Sequence, residues 1–121
     1  MEYKFNYSSL FKKELKRLSK KSKSLESDIQ KLEKEFMENP NLGVSLGDGL
    51  RKIRVNITSK KAGKSGGARV ISHELLISIK NNKNEIEENM SVYFVIIYDK
   101  SEFDTVNLSV IKDFVKEIRE E

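Results

Sequence analysis

Between Arg51 and Arg69 the chain carries seven bases and no acid: Arg51, Lys52, Arg54, Lys60, Lys61, Lys64 and Arg69. A run of one sign in an otherwise balanced chain is a signature of a polyanion site, where each cation neutralises a phosphate charge; the alternative is a solvated basic hairpin tip. Metal-dependent phosphodiester chemistry needs carboxylates beside the scissile phosphate, and this stretch has none. Cleavage here would be metal-free, which RNA permits because its own 2′-hydroxyl can attack the phosphodiester. The protein must then withdraw the hydroxyl proton, stabilise charge on the phosphorane and protonate the leaving 5′-oxygen. Lysine and arginine stabilise the anion directly. A lysine crowded by cations can act as acid or base, and a tyrosine can position or donate a proton. His73, the only histidine, shares strand parity with Arg69 and is an auxiliary candidate; the alternative is a half-buried structural place.

Other chemistries are excluded by what the chain lacks. It has no Cys, hence no disulfide scaffold, thiolate metal site or cysteine nucleophile, and one His excludes a His-pair metal centre. A Ser-His-Asp triad would have to be built on His73. Gly63-Lys64-Ser65 suggests a phosphate loop, but Thr58 stands where that motif needs glycine, and a strand rather than a helix is expected to follow. Nine of the 19 acids gather at 26–38 and 113–121 on expected helix surfaces, where a solvated face explains them. No metal and no cofactor is expected. The longest apolar run falls far short of the roughly 18 residues that span a bilayer. The opening MEYKFNYSSLFKK has no apolar stretch of signal-peptide length. The expected location is the cytoplasm, with no membrane partner.

The elements that must position these residues can be read in order. With 121 residues, one domain, 1–121, is expected. Tyr3, Phe5 and Tyr7 alternate with polar neighbours, as in a half-buried strand. Ser8 or Ser9 offers an N-cap, and Phe11, Leu15 and Leu18 follow at helical spacing. A second helix begins near Ser24, with Glu26 and Asp28 in its first turn and Leu25, Ile29, Leu32 and Phe36 along one stripe; Asn39-Pro40-Asn41 ends it. A glycine-rich link around Gly43, Gly47 and Gly49 leads to the strand Leu50–Ile57, with Ile53, Val55 and Ile57 on one face and Lys52, Arg54 and Asn56 on the other. Residues 59–68 read as a basic loop, Arg69–Ile79 and Met90–Tyr98 as strands, the latter central, and a last helix starts near Ser109. The expected class is α+β, in the order β-α-α-β-β-β-α: a small antiparallel sheet with an N-terminal helical hairpin and a C-terminal helix.

The net charge of +4 is therefore an average. Residues 1–23 hold eight bases against two acids, and residues 24–38 hold two bases against five acids. The central basic stretch falls on two expected strands and the loop between them.

The strings Leu50-Arg51-Lys52-Ile53-Arg54-Val55, Gly63-Lys64-Ser65-Gly66-Gly67-Ala68-Arg69-Val70-Ile71 and Ile97-Tyr98-Asp99-Lys100-Ser101-Glu102 together resemble the RelE/ParE superfamily of bacterial toxins, closest to the HigB/RelE-like branch of type II toxin–antitoxin modules. The resemblance covers nearly the whole chain, since the expected element order agrees with a RelE-like fold. It implies a toxin that enters the ribosomal A site and cuts mRNA without metal. It also implies a cognate antitoxin, a helix-turn-helix DNA-binding protein, as partner beside the ribosome and mRNA. Lys52 and Arg54 match the two bases of the family's K-x-[KR] strand, and Arg69 matches the arginine that opens the next strand. Lys100 lies beside the family's second catalytic arginine, whose place is taken by Ser101, and the downstream tyrosine aligns with about Asn107. Tyr98 and Lys100 are the candidates to substitute. Arg51, Lys60, Lys61 and Lys64 are then expected to bind ribosomal RNA through its backbone.

Two other readings remain open. A ParE-like toxin of the same superfamily binds and inhibits DNA gyrase without cutting RNA, and fold alone does not separate the two. A plain RNA-binding module is disfavoured by the scarcity of aromatics among the bases, with only Tyr98 and Tyr93 placed to stack.

Overall fold

The computed structural model describes residues 2–59, 67–102 and 107–120. The alternating aromatics form β1 (Glu2–Tyr7), followed by α1 (Ser9–Ser19), α2 (Leu25–Glu38), β2 (Val44–Gly47), β3 (Leu50–Val55), β4 (Ala68–Lys80), β5 (Ile86–Asp99) and α3 (Leu108–Glu120). The five strands make one sheet in the order β1-β5-β4-β3-β2. The class is α+β, but the expected element order and sheet are both corrected. β2 is a strand within the supposed glycine-rich link, pairing Val44 with Lys52 and Ser45 with Arg51. The sheet is mixed rather than antiparallel, because β1 runs parallel to β5, Glu2 opposite Asn89 through Tyr7 opposite Phe94. β5 is interior, as its apolar run requires, while β4 holds the middle place.

Each face of the sheet buries its own core. On one, the stripe Phe11, Leu18, Leu25, Ile29, Leu32 and Phe36 of the helical hairpin meets Ile53, Val55, Val70, Val92, Phe94 and Ile97. The rings of Tyr7, Phe11 and Phe94 pack at centroid distances of 5.3 to 5.6 Å, the range in which tilted aromatic pairs attract. On the other face, Ile111, Val115 and Ile118 of α3 meet Leu50, Ile71, Val95 and Tyr98.

Two local devices set this arrangement. The pairing of β4 with β5 shifts between Ile71, opposite Ile96, and Ser72, opposite Phe94, so Val95 is an extra residue in a β-bulge. Ser8 ties the bulge down: its N–H donates to the Phe94 carbonyl at 3.1 Å, and its hydroxyl donates to the Val95 carbonyl at 2.6 Å. The same hydroxyl accepts the Phe11 N–H at 2.9 Å, which makes Ser8, of the two serines the sequence offers, the N-cap of α1. The second device is Gly43, with φ of +80°, where a Cβ would sit 2.5 Å from the Lys52 carbonyl oxygen; only glycine lets the chain press against β3 there.

At the start of α2, Ser24 makes no side-chain cap and donates its hydroxyl to Asp28 at 2.8 Å. Asp28, buried in the first turn, also accepts the Thr58 N–H at 3.0 Å and the Thr58 hydroxyl. Burial pushes the Asp28 pKa up. The hydrogen bonds from Thr58 and Ser24 and the nearby Lys31 charge outweigh that effect and hold it below the ordinary carboxylate value. Asp28 thus fastens the entry of the basic loop to α2. Asp28→Ala is expected to lower stability by about 2 kcal/mol, read as a shift in the urea midpoint with unchanged slope. The wild-type advantage should be full above the unfolded carboxylate pKa and fade as pH falls through the lower folded value.

Candidate active site

Strand register brings three of the candidate residues into one row. Arg54 on β3 lies opposite Arg69 on β4, and Arg69 lies opposite Tyr98 on β5. In the next row on the same face, Lys52 lies opposite Ile71, which lies opposite Ile96. Because side chains alternate along a strand, Lys52 and Arg54 leave the sheet on the side of Arg69 and Tyr98, the side that α3 packs against. The row is graded in exposure. Arg54 is exposed and Lys52 half-buried, whereas Arg69 and Tyr98 keep only 4% and 2% of their surface. Like charges placed directly opposite across a strand pair repel; an oxyanion between Arg54 and Arg69 would turn that repulsion into attraction.

The buried end of the row has defined chemistry. Burial pushes the Tyr98 phenol above its ordinary pKa, against the opposing effect of the Arg69 charge. At neutral pH the hydroxyl is protonated, so it can donate a hydrogen bond or a proton and cannot serve as a base. Arg69 donates from Nη1 to the Ala68 carbonyl at 3.2 Å. Lys100 leaves the end of β5 half-buried, its N–H donating to the Gly67 carbonyl at 3.2 Å, which joins it to the exit of the basic loop. Ser101 and Asn107 have structural work: the Ser101 hydroxyl donates to Asp99 at 2.8 Å, and Asn107 caps α3 by accepting the Ser109 N–H at 2.9 Å.

Other candidates stand apart from the row. Arg51 has the opposite strand parity from Lys52, and its Nε donates to Glu74 at 2.6 Å in a largely buried ion pair. His73 lies four residues along β4 from Arg69, about 13 Å away at strand rise, and faces Leu50 and Tyr93. Its Nδ1 accepts from Arg119 Nε at 3.1 Å. Burial lowers the His73 pKa, the Arg119 charge lowers it further, and the hydrogen bond to the Asp48 backbone opposes both. His73 is therefore neutral and clamped. Lys60, Lys61 and Lys64 lie outside the described residues.

No family model matches the chain, and no curated protein matches it significantly. Among the described residues, no group of three or more His, Asp or Glu side chains is placed to hold a metal ion, and no helix is long and apolar enough to cross a membrane.

Arg119 is the residue that sequence reasoning missed. Besides His73 Nδ1, it donates to the Ser91 hydroxyl at 2.8 Å and to the His73 and Ser91 carbonyls, each at 3.1 Å. Its guanidinium also lies 4.7 Å from the centre of the Tyr93 ring. These contacts pin the C-terminal turn of α3 to the sheet. A signal was present, because Arg119 is the base in the last turn of the helix, where the dipole favours a cation, and it follows Val115 by four residues on the buried stripe.

Proposed function

We propose that this chain is the toxin of a type II toxin–antitoxin module, a RelE-like member of the RelE/ParE superfamily closest to the HigB/RelE branch, and that it cleaves mRNA on the ribosome without metal. The observation that carries this reading is the cross-strand row Arg54–Arg69–Tyr98 with Lys52 beside it. Two guanidiniums flank one position for a phosphate, and a protonated phenol stands next in line. Arg54 and Arg69 bind the non-bridging oxygens and stabilise the phosphorane as the 2′-hydroxyl attacks. Lys52 or Lys100 moves the protons, and Tyr98 donates to the reacting oxygens. The substrate approaches from the Arg54 side, where the row is open. Lys60, Lys61 and Lys64 and the exposed lysines of α1 hold ribosomal RNA; Arg51, engaged with Glu74, is not among them. The cell partners are a helix-turn-helix antitoxin, the ribosome and mRNA, all in the cytoplasm.

Mapping of mRNA 5′ ends after brief induction tests this directly. Cuts confined to translated regions and in phase with codons are the expected result. DNA damage without such cuts would sink it in favour of gyrase inhibition.

A further inference from the structure

Beside the row, the start of β2 and the middle of β3 enclose a groove of about 500 Å³, lined by Leu42, Val44, Leu46, Lys52 and Arg54. Its chemistry is divided: aliphatic walls, with an ammonium and a guanidinium at the rim. Val44 stands opposite Lys52 across the strand pair and keeps 64% of its surface exposed, so its methyl groups are open to a ligand. The groove owes its depth to Gly43, since a Cβ there would collide with Lys52 and Ile53.

We infer that this groove is a nucleobase subsite, holding the base of the nucleotide whose phosphate lies against Lys52 and Arg54. The inference rests on the phosphate site proposed above and adds the part of the substrate that site leaves unassigned. A nucleotide has the same division of chemistry, an apolar face joined to an anion. Single-stranded RNA is recognised by bases splayed onto side-chain surfaces and guanidinium planes. Arg54 can offer such a plane from the rim while its charge faces the phosphate. Val44 and Leu46 supply the apolar wall. With few polar side chains along the walls, the subsite favours a base through contact area rather than edge hydrogen bonds, so discrimination among bases is modest.

Adenosine 5′-monophosphate and ribose 5-phosphate serve as probes, with the full chain observed through the methyl NMR signals of Val44 and Leu46. The nucleotide should shift both signals and bind several-fold more tightly than the sugar phosphate. Val44→Ser, at an exposed position, should erase that difference while leaving ribose 5-phosphate binding unchanged. Lys52→Ala should weaken both probes alike. Equal binding of the two probes, no binding of either, or a preference that survives Val44→Ser would each overturn the base subsite. Cleavage on ribosomes, measured separately for the unaltered chain, tells the two proposals apart: a base preference that Val44→Ser erases, in a chain that cleaves RNA, supports both, whereas the same preference in a chain that cleaves none supports the subsite and refutes the nuclease.

Discussion

Arg54→Ala is expected to slow ribosome-dependent mRNA cleavage about 100- to 1,000-fold, the loss typical when one preorganised donor to a transition-state oxyanion is removed. Its thermal stability should stay at or slightly above the wild-type value. The side chain is exposed, so no cavity forms, and its removal relieves the like-charge pairing with Arg69 across β3 and β4. Arg54→Lys keeps the charge but loses the planar fork, and should recover only part of the rate. Single-turnover cleavage on programmed ribosomes measures this. A rate for Arg54→Ala within about threefold of wild type would mean that the phosphate lies elsewhere. Arg69→Ala should also abolish cleavage, but Arg69 is nearly buried beside Tyr98, so its loss of activity must be read against a stability measurement. Arg54 is the cleaner test.

The second large effect concerns stability. Arg119→Ala should cost about 3 kcal/mol, because it removes several hydrogen bonds from a charged donor together with a cation–π contact. It leaves the half-buried ring of His73 and the carbonyls of His73 and Ser91 without that donor. Urea unfolding gives the number, and a loss below 1 kcal/mol would show that α3 is held by its apolar stripe alone. The pH dependence follows from the same cluster. The folded pKa of His73 is lowered by burial first and by the Arg119 charge second. Its contribution is therefore fully present above the unfolded value of about 6.5. As pH falls below that value the unfolded chain takes up the proton first, and stability declines until the folded ring is protonated as well. Protonation at Nδ1 also sets a donor against the Arg119 donor. His73→Gln should flatten the stability profile between about pH 6.5 and pH 5, above the range where carboxylates titrate.

Much of the fold was legible because its cores are patterned. The stripe of α2 at spacings of 4, 3 and 4, the alternation of β1 and of Leu50–Ile57, and a serine cap at position 8 or 9 each follow from one local rule; the elements formed there, with the cap on Ser8 and β3 ending at Val55, two residues short of the alternating run. β2 escaped because four residues between glycines are too short to display an alternation, and because its strand character comes from pairing with β3 rather than from its own side chains. The parallel contact of β1 with β5 joins residues almost ninety positions apart, and no local pattern encodes it. The candidate site was legible in composition but not in grouping. Counting along the chain placed Arg51 among the RNA-binding bases; strand parity sends it to the face opposite Arg54, and Glu74, from the following strand, neutralises it. Arg119 was lost for the converse reason, its charge averaged into an acidic terminal segment while its side chain turned inward.

The bulge at Val95 governs which aromatic residues share a surface. Tyr93 and Tyr98 are five positions apart, an odd number, and in a regular strand would point to opposite sides of the sheet. One additional residue restores their agreement, so that Tyr93 faces His73 while Tyr98 faces Arg69. A single helix can then be anchored beside Tyr93 by Arg119 and still reach across Tyr98. The alignment of the anchor with the proposed reactive end is a matter of counting rather than chemistry: β5 carries a half-period dislocation, and its parity is as much a part of the candidate site as any charge on it.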